Sequence, residues 1–209
     1  MPSNAGAASV ATALALAVMG LVAVELAARA AVRARTAALI TDVIDPSDDL
    51  VVTVPIVPLL PSLLRRRVPF VLATCQRAVL PGVEMEQVRL SLVGLVIGAR
   101  LNVVAGSGLL VAHIPAAEVL RRAGVPGSLE IGDGAVTVRW PRTGFAGMPR
   151  VGMRLRPTLV GDRIRLLPTP LSMSLPPLPG GTTLTTIEAG DAALVVTARL
   201  ELPTLLNAR

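Results

Sequence analysis

The chain contains 209 residues, 52% of them hydrophobic and only 1% aromatic, and it has a formal charge of +6 at pH 7. This length leaves room for one domain with an aliphatic core and for an appendage. The near absence of aromatic rings argues against a surface on which nucleic-acid bases stack, whereas the charge still allows an anionic membrane as partner. With a single cysteine, the chain has neither an internal disulfide nor a zinc site of the multi-cysteine kind.

The first predicted element is the uncharged run from Ala5 to Val24, which as a helix spans about 30 Å, the thickness of the hydrocarbon core of a bilayer. The run predicts a membrane helix or an export signal. Ala28-Arg29-Ala30 could serve as a cleavage site, but no positively charged segment precedes the run. Arg29, Arg33 and Arg35 follow the run, and the positive-inside tendency would keep the following domain in the cytoplasm.

Helical character continues to Val43, and Asp45-Pro46 ends it because the residue before a proline disfavours the helical conformation. The sequence therefore predicts two parts. Residues 1–44 form a membrane anchor or signal helix with a helical extension, and residues 45–209 form a β-rich domain. A short helix is expected from Ser62 to Arg67, with Pro61 in its first turn, where a missing N–H costs nothing.

The strand predicted from Glu86 to Ile97 changes character along its length. In its first half Val88, Leu90 and Leu92 alternate with polar residues, as in a strand with one buried and one wet face. From Val93 onward the opposite face is also apolar, and a helix or an apolar ligand must then cover it. The return strand, which ends at Ile114, has the same character. The candidate ligand-lining residues on this second apolar face are Val93, Leu95, Ile97, Leu109 and Val111.

A short helix is predicted from Pro115 to Ala123, with a Glu118–Arg122 pair at favourable spacing. Beyond it, three Gly-Asp pairs each separate two strand-like runs, which is typical of successive hairpins. The pairs are Gly132-Asp133, Gly161-Asp162 and Gly190-Asp191.

The second hairpin is strongly basic. If Gly161-Asp162 is a two-residue loop, Val160 pairs with Arg163 and Thr158 with Arg165. Such a strip could dock anionic lipid head groups, or it could be the solvated outer face of a sheet. The arginines that share this face are Arg154, Arg156, Arg163 and Arg165.

The sequence does not contain a recognisable catalytic constellation. Cys75 lies among aliphatic residues, where a cysteine behaves as an inert small hydrophobe. His113 is the only histidine, so it has no histidine partner for a metal and no marked serine or acid for a triad. We therefore expect no catalytic residue, metal or cofactor, and an enzyme is the third hypothesis.

From about Leu50 to Leu202 the order of motifs is IPAAEVLRRAG, IGDGAVTV, LVGDRIRLLP, LPPLPGG and TTIEAGDAALVV, after a proline-containing short helix and a long antiparallel strand pair. In this order the chain resembles the LmeA-like family of actinobacterial phospholipid-binding proteins. The resemblance implies an α+β, mostly β fold of the tubular lipid-binding kind, with a curved antiparallel meander sheet, short helices packed on it and the N-terminal membrane helix before it. It also implies that the protein is located outside the cytoplasm, at the membrane of the cell envelope, and that it catalyses no reaction.

On this basis the main hypothesis is a membrane-tethered, extracytoplasmic protein that binds phospholipid, expected to be anionic, in an apolar groove lined by the doubly apolar strand segments. This extracytoplasmic orientation is opposite to the one that the positive-inside tendency predicts from the arginines after the apolar run. The alternative is a membrane-anchored structural or assembly partner whose second apolar face binds another protein.

Overall fold

The computed structural model describes residues 5–41, 44–54, 58–80, 82–97, 103–124, 127–140, 152–161, 163–175 and 182–201, with side chains from residue 12 onward and excluding those of 103–105. In chain order the elements are α1 (Ala5–Thr41), β1 (Asp45–Pro46), β2 (Val51–Thr53), α2 (Leu59–Leu64), β3 (Arg67–Leu80), β4 (Val83–Ile97), β5 (Val103–Pro115), α3 (Ala116–Ala123), β6 (Ser128–Gly132), β7 (Ala135–Arg139), β8 (Gly152–Val160), β9 (Arg163–Leu167), β10 (Ser172–Ser174), β11 (Thr182–Ala189) and β12 (Ala193–Glu201).

The predicted fold class is confirmed: the chain is mostly β, its sheets are antiparallel, and an apolar helix precedes them. The strands form two sheets rather than one continuous meander. The first sheet has seven strands in the order β1-β3-β4-β5-β12-β11, with β2 also paired to β3. The second has five strands in the order β10-β9-β8-β7-β6 and therefore follows the chain as a simple meander. In the chain it is inserted between β5 and β11, and α3 connects the end of β5, an inner strand of the first sheet, to β6.

Helix α1 is 37 residues long and differs between its two halves. From Thr12 to Val24 every side chain is exposed, although most are apolar, and by length and composition this helix could cross a membrane. In the second half Val32, Thr36 and Ile40 are buried, and Val32 and Ile40 belong to the core cluster of the sheets. The folded unit therefore includes this second half, so the predicted boundary at residue 44 separates segments that share one core.

Short helix α2 begins three residues earlier than the sequence pattern predicts. The carboxylate of Glu25 accepts hydrogen bonds from the amides of Leu59, at 2.6 Å, and Leu60, at 3.0 Å. The first amides of a helix have no hydrogen-bond partner within the helix. A carboxylate that accepts hydrogen bonds from them therefore stabilises the N-terminus of α2. Arg29 donates a further hydrogen bond to Glu25 at 3.0 Å. The early start of α2 thus depends on a contact across 34 residues, which local sequence patterns do not reveal.

The buried face of the first sheet forms most of the core. Direct pairs such as Ala73 with Leu90, Leu90 with Leu110, and Leu110 with Ala198 place one buried side chain from each strand in a row across the sheet. Cross-strand neighbours of this kind are the unit of packing in a sheet. The three predicted Gly-Asp hairpins are also confirmed, since β6 pairs with β7, β8 with β9, and β11 with β12.

Helix α3 is tied to the β3–β4 hairpin by a charged cluster. The buried carboxylate of Glu118 is hydrogen-bonded to Arg121 and Arg122, which confirms the predicted pair, and both guanidinium groups donate to the carbonyl of Gly82. Burial raises the pKa of the Glu118 carboxyl, but the hydrogen bonds from the two arginines outweigh this effect, so its pKa lies below the ordinary value. The ionised form is therefore the one that the fold stabilises.

We expect Glu118→Gln to lower the free energy of unfolding at pH 7 by about 1–2 kcal/mol, because a charge-assisted hydrogen bond is lost at a buried carboxylate. Since the folded pKa is depressed, this stabilisation is complete above the ordinary pKa of about 4.5 and disappears as the pH falls through the folded value. Urea unfolding between pH 3 and 7 measures both effects. Glu130→Gln, which removes an exposed pair with Arg139, is the control and should change little.

The prediction fails if the Glu118→Gln and wild-type curves run parallel over the whole pH range.

Candidate apolar binding site

The five predicted ligand-lining residues do not share one face of the sheet. Val93 and Leu109 are 50% and 45% exposed on the outer face, and Val111 lies half-buried beside them. Leu95 and Ile97 are 1% and 6% exposed on the core face. The prediction that these five residues form one apolar surface is therefore wrong.

A β-bulge at Gly94 causes this separation. Between Val93 and Val96, strand β4 advances by three residues while β5 advances by two, and Gly94 has a φ of +63°. One extra residue in a strand moves every following side chain to the face opposite to the one that strict alternation predicts. Leu95 and Ile97 therefore continue the core face. A glycine inside a strand pattern is the signal that could have indicated the bulge.

Opposite substitutions on the two sides of this bulge test the assignment. We expect Leu95→Asp to unfold the domain, because an unpaired charge in the core costs several kcal/mol. Val93→Asp, two residues away on the exposed face, should cost about 1 kcal/mol or less. Thermal melting followed by circular dichroism distinguishes the two. Equal destabilisation by both substitutions would mean that the strand alternates without a shift at Gly94.

The apolar space that the structure does contain lies between the two sheets, on the core face. It has room for about one water molecule, and its volume together with the open space at its mouth is about 350 Å³. We call this space the inter-sheet crevice. Strands β4, β5, β11 and β12 and the residue after β10 line it with Val83, Met85, Leu110, Ala112, Ile114, Leu175, Leu184, Val196 and Ala198.

Two alanines explain why the sheets do not close completely here. On the first sheet Ala112 pairs with Val196, and Ala198 pairs with Leu110, so a small side chain lies beside a larger one in both rows. Leu175, next to β10, covers the space from the second sheet, and Leu184, on edge strand β11 of the first sheet, lines it and remains half-exposed. All the lining side chains are apolar, so the crevice offers no hydrogen bond to water and suits a hydrocarbon group.

None of the crevice residues is among those predicted from the sequence. On β5 the predicted residues are Leu109 and Val111, whereas the crevice uses the alternate positions Leu110, Ala112 and Ile114. Both sets are apolar, so period-two alternation could not decide which face is covered. The one available signal is the pair of small residues, Ala112 and Ala198, within runs of larger aliphatic ones.

The groups that could carry chemistry lie outside the crevice. Cys75 is buried in the core, and burial first, then the negative charge of Asp48, raises the pKa of its thiol. A thiol with a raised pKa is a poor nucleophile. His113 lies half-buried on the opposite face of β5, paired with Glu86 and Val195. In the described ranges no three histidine, cysteine or acidic side chains are grouped so as to hold a metal ion.

The predicted arginine strip is present on the second sheet. Val160 pairs with Arg163 and Thr158 with Arg165, so the predicted register is confirmed. Arg154 donates a hydrogen bond to the carbonyl of Asp133 at 2.8 Å. Asp162 lies outside the described residues. The four exposed side chains of the strip are Arg154, Arg156, Arg163 and Arg165.

No protein-family model, curated protein or solved structure matches this chain. The resemblance to the LmeA-like family therefore stays a prediction based on the order of the motifs. The fold and the chemistry of the described residues carry the functional argument.

Proposed function

We propose that the protein is a membrane-tethered lipid-binding protein of the cell envelope, which holds an acyl chain of a phospholipid in the inter-sheet crevice and catalyses no reaction. The observation that carries this proposal is the wholly apolar lining of the crevice, in a chain whose N-terminal helix is uncharged on all sides up to Val24. The resemblance to the LmeA-like phospholipid-binding family supports it. A phospholipid is favoured over a neutral lipid because of the chain's net charge of +6.

The narrowness of the crevice defines how a ligand enters. An acyl chain needs more room than a crevice with space for about one water molecule, so binding requires Leu175, the lining residue next to the second sheet, to move away from the first sheet. Leu175 follows the three-residue strand β10 at the edge of the second sheet, where few backbone hydrogen bonds oppose such movement. The ligand would therefore displace an edge of the second sheet, with the first sheet as a fixed floor.

A pair of neighbouring substitutions on β5 tests where lipid binds. We expect Ala112→Leu to fill the crevice and to reduce lipid binding about tenfold in a chain that still folds, because the added side chain occupies space that is open. Val111→Leu is the matched control, since it adds volume on the other face of the same strand and should leave binding unchanged. The full-length protein is mixed with detergent and a phospholipid that carries a photoactivatable acyl chain, and cross-linked peptides are mapped.

Cross-links to the apolar helix provide an internal reference for both variants. Cross-links near Met85 and Leu175 that disappear in Ala112→Leu alone support the crevice. Absence of such cross-links in the wild-type chain, with cross-links to the helix retained, contradicts it. Loss in Val111→Leu alone would instead support a site on the outer face.

The orientation is a separate prediction. The resemblance implies that the domain lies outside the cytoplasm, against the tendency set by Arg29, Arg33 and Arg35. A reporter enzyme that works only in the cytoplasm, fused after Arg209, should therefore be inactive, whereas one that works only outside should be active. The reverse result would place the domain in the cytoplasm and leave the crevice proposal intact.

The alternative function is a membrane-anchored assembly partner. The exposed side chains of Phe70, Val93 and Leu109 on the outer face of the first sheet favour it, since contiguous exposed apolar residues often mark protein contacts. Phe70 pairs directly with Val93 across β3 and β4. Under this alternative, substitution of Val93 abolishes function and filling of the crevice does not.

A further inference from the structure

A short surface between α2 and β3 combines one exposed leucine with three exposed arginines. We call it the 64–67 surface, after Leu64, Arg65, Arg66 and Arg67. Leu64 is 86% exposed, more than any other large hydrophobic side chain that the structure describes, including those of the apolar helix. The three arginines are exposed too, and within the described ranges no acidic side chain forms an ion pair with them. Such a combination exposes both hydrocarbon and uncompensated positive charge.

This surface lies at the level where the apolar part of α1 ends. Glu25 is the first charged residue after the uncharged run that ends at Val24, and its carboxylate is hydrogen-bonded to the amides of Leu59 and Leu60. Helix α2 has six residues and is therefore only about 9 Å long. Leu64, its last residue, thus lies within about 15 Å of Glu25, where the run ends.

The dimensions of α1 and β3 indicate that the start of β3 points toward the apolar run. From Glu25 to Thr41, α1 covers about 24 Å, and Asp45 then pairs with Val79 near the end of β3. From Val79 back to Arg67, β3 covers about 40 Å. Arg67 follows Leu64 by three residues, and Val79 pairs with the segment after Thr41, so the two ends of β3 lie near opposite ends of the Glu25–Thr41 segment.

We propose that the 64–67 surface is a second contact with the membrane, made with an anionic bilayer surface next to the point where α1 enters it. Leu64 inserts between the head groups, while the arginines lie against lipid phosphates. This proposal rests on the membrane tether of the proposed function. Charge complementarity supports it, since six arginines and one glutamate occupy the two segments closest to the end of the apolar run, Glu25–Arg35 and Leu59–Arg67.

The arginine strip of the second sheet is at the other end of the domain. Leu175, next to β10, contacts the crevice together with Val83 at the β3–β4 hairpin, and α3 contacts both β6 and β10. This hairpin is the end of β3 that lies far from Arg67. The strip therefore carries the same kind of charge at a place that α1 does not bring to the membrane, and it is the natural control.

Depth-dependent fluorescence quenching in the full-length chain tests the proposal. Single labelled cysteines are introduced at Val18 in the apolar helix, at Leu64, and at Leu167 as an exposed leucine on the second sheet, all in a Cys75→Ala chain. The protein is reconstituted into phosphatidylglycerol vesicles that contain lipids brominated on the acyl chain. We expect strong quenching at residues 18 and 64 and quenching at least about threefold weaker at residue 167.

A charge comparison completes the experiment. Replacing Arg65, Arg66 and Arg67 by Gln should lower quenching at residue 64 by about half or more, and exchange of phosphatidylglycerol for phosphatidylcholine should act in the same direction. A strip variant with the same loss of charge, in which Arg156, Arg163 and Arg165 become Gln, should have no effect at residue 64.

The outcomes separate this proposal from the tether itself. No quenching at residue 18 would overturn the tether, and the second contact with it. Quenching at residue 18 without quenching at residue 64 overturns the second contact alone, as would be found if a protein partner covered this surface. An equal effect of the strip variant and the 64–67 variant also overturns it, because net charge and not this surface would then govern the contact.

Discussion

The carboxylate of Glu25 is the contact on which the arrangement of helix and sheets depends. It joins a helix that is exposed and apolar on one side of this residue to a domain that begins to bury the same helix on the other side. Without it, two amides at the start of α2 lose the charged partner that holds them. Because α2 leads directly into β3, this contact fixes the start of β3 close to α1, and Val32 and Ile40 pack the rest of the helix on the core.

Two bulges in β4 cause the curvature of the first sheet. Gln87 and Gly94 both have positive φ values, of 49° and 63°, and at each the strand gains one residue over β5. Bulges bend a strand and increase its twist, so the sheet curves instead of lying flat. The curvature brings one face around the core. It also explains how two adjacent strands with apolar residues on both sides can bury one face and expose the other.

How much of the fold and of the candidate site could be predicted from the sequence depends on how far apart the interacting residues are along the chain. The long strands, the three Gly-Asp hairpins, α3 and the pairing of Val160 with Arg163 depend on near neighbours, and these were predictable, whereas the short strands β1 and β10 were not. The start of α2 depends on Glu25 far along the chain, and the crevice depends on which apolar face the second sheet covers. Neither is contained in a local pattern. The placement of Leu95 and Val93 on opposite faces was predictable only in part. The sequence contains Gly94, but it does not show that this glycine has a positive φ and forms a bulge.

The pairing of β5 with β12 has a consequence for the synthesis of the chain. Residues 103–115 and 193–201 lie side by side in the first sheet, yet the whole second sheet is made between them. A nascent chain therefore presents β5 as an open edge until β12 has been synthesised, and such edges pair readily with other chains. This long loop closure slows folding, and during that time the chain is most exposed to aggregation and to proteolysis.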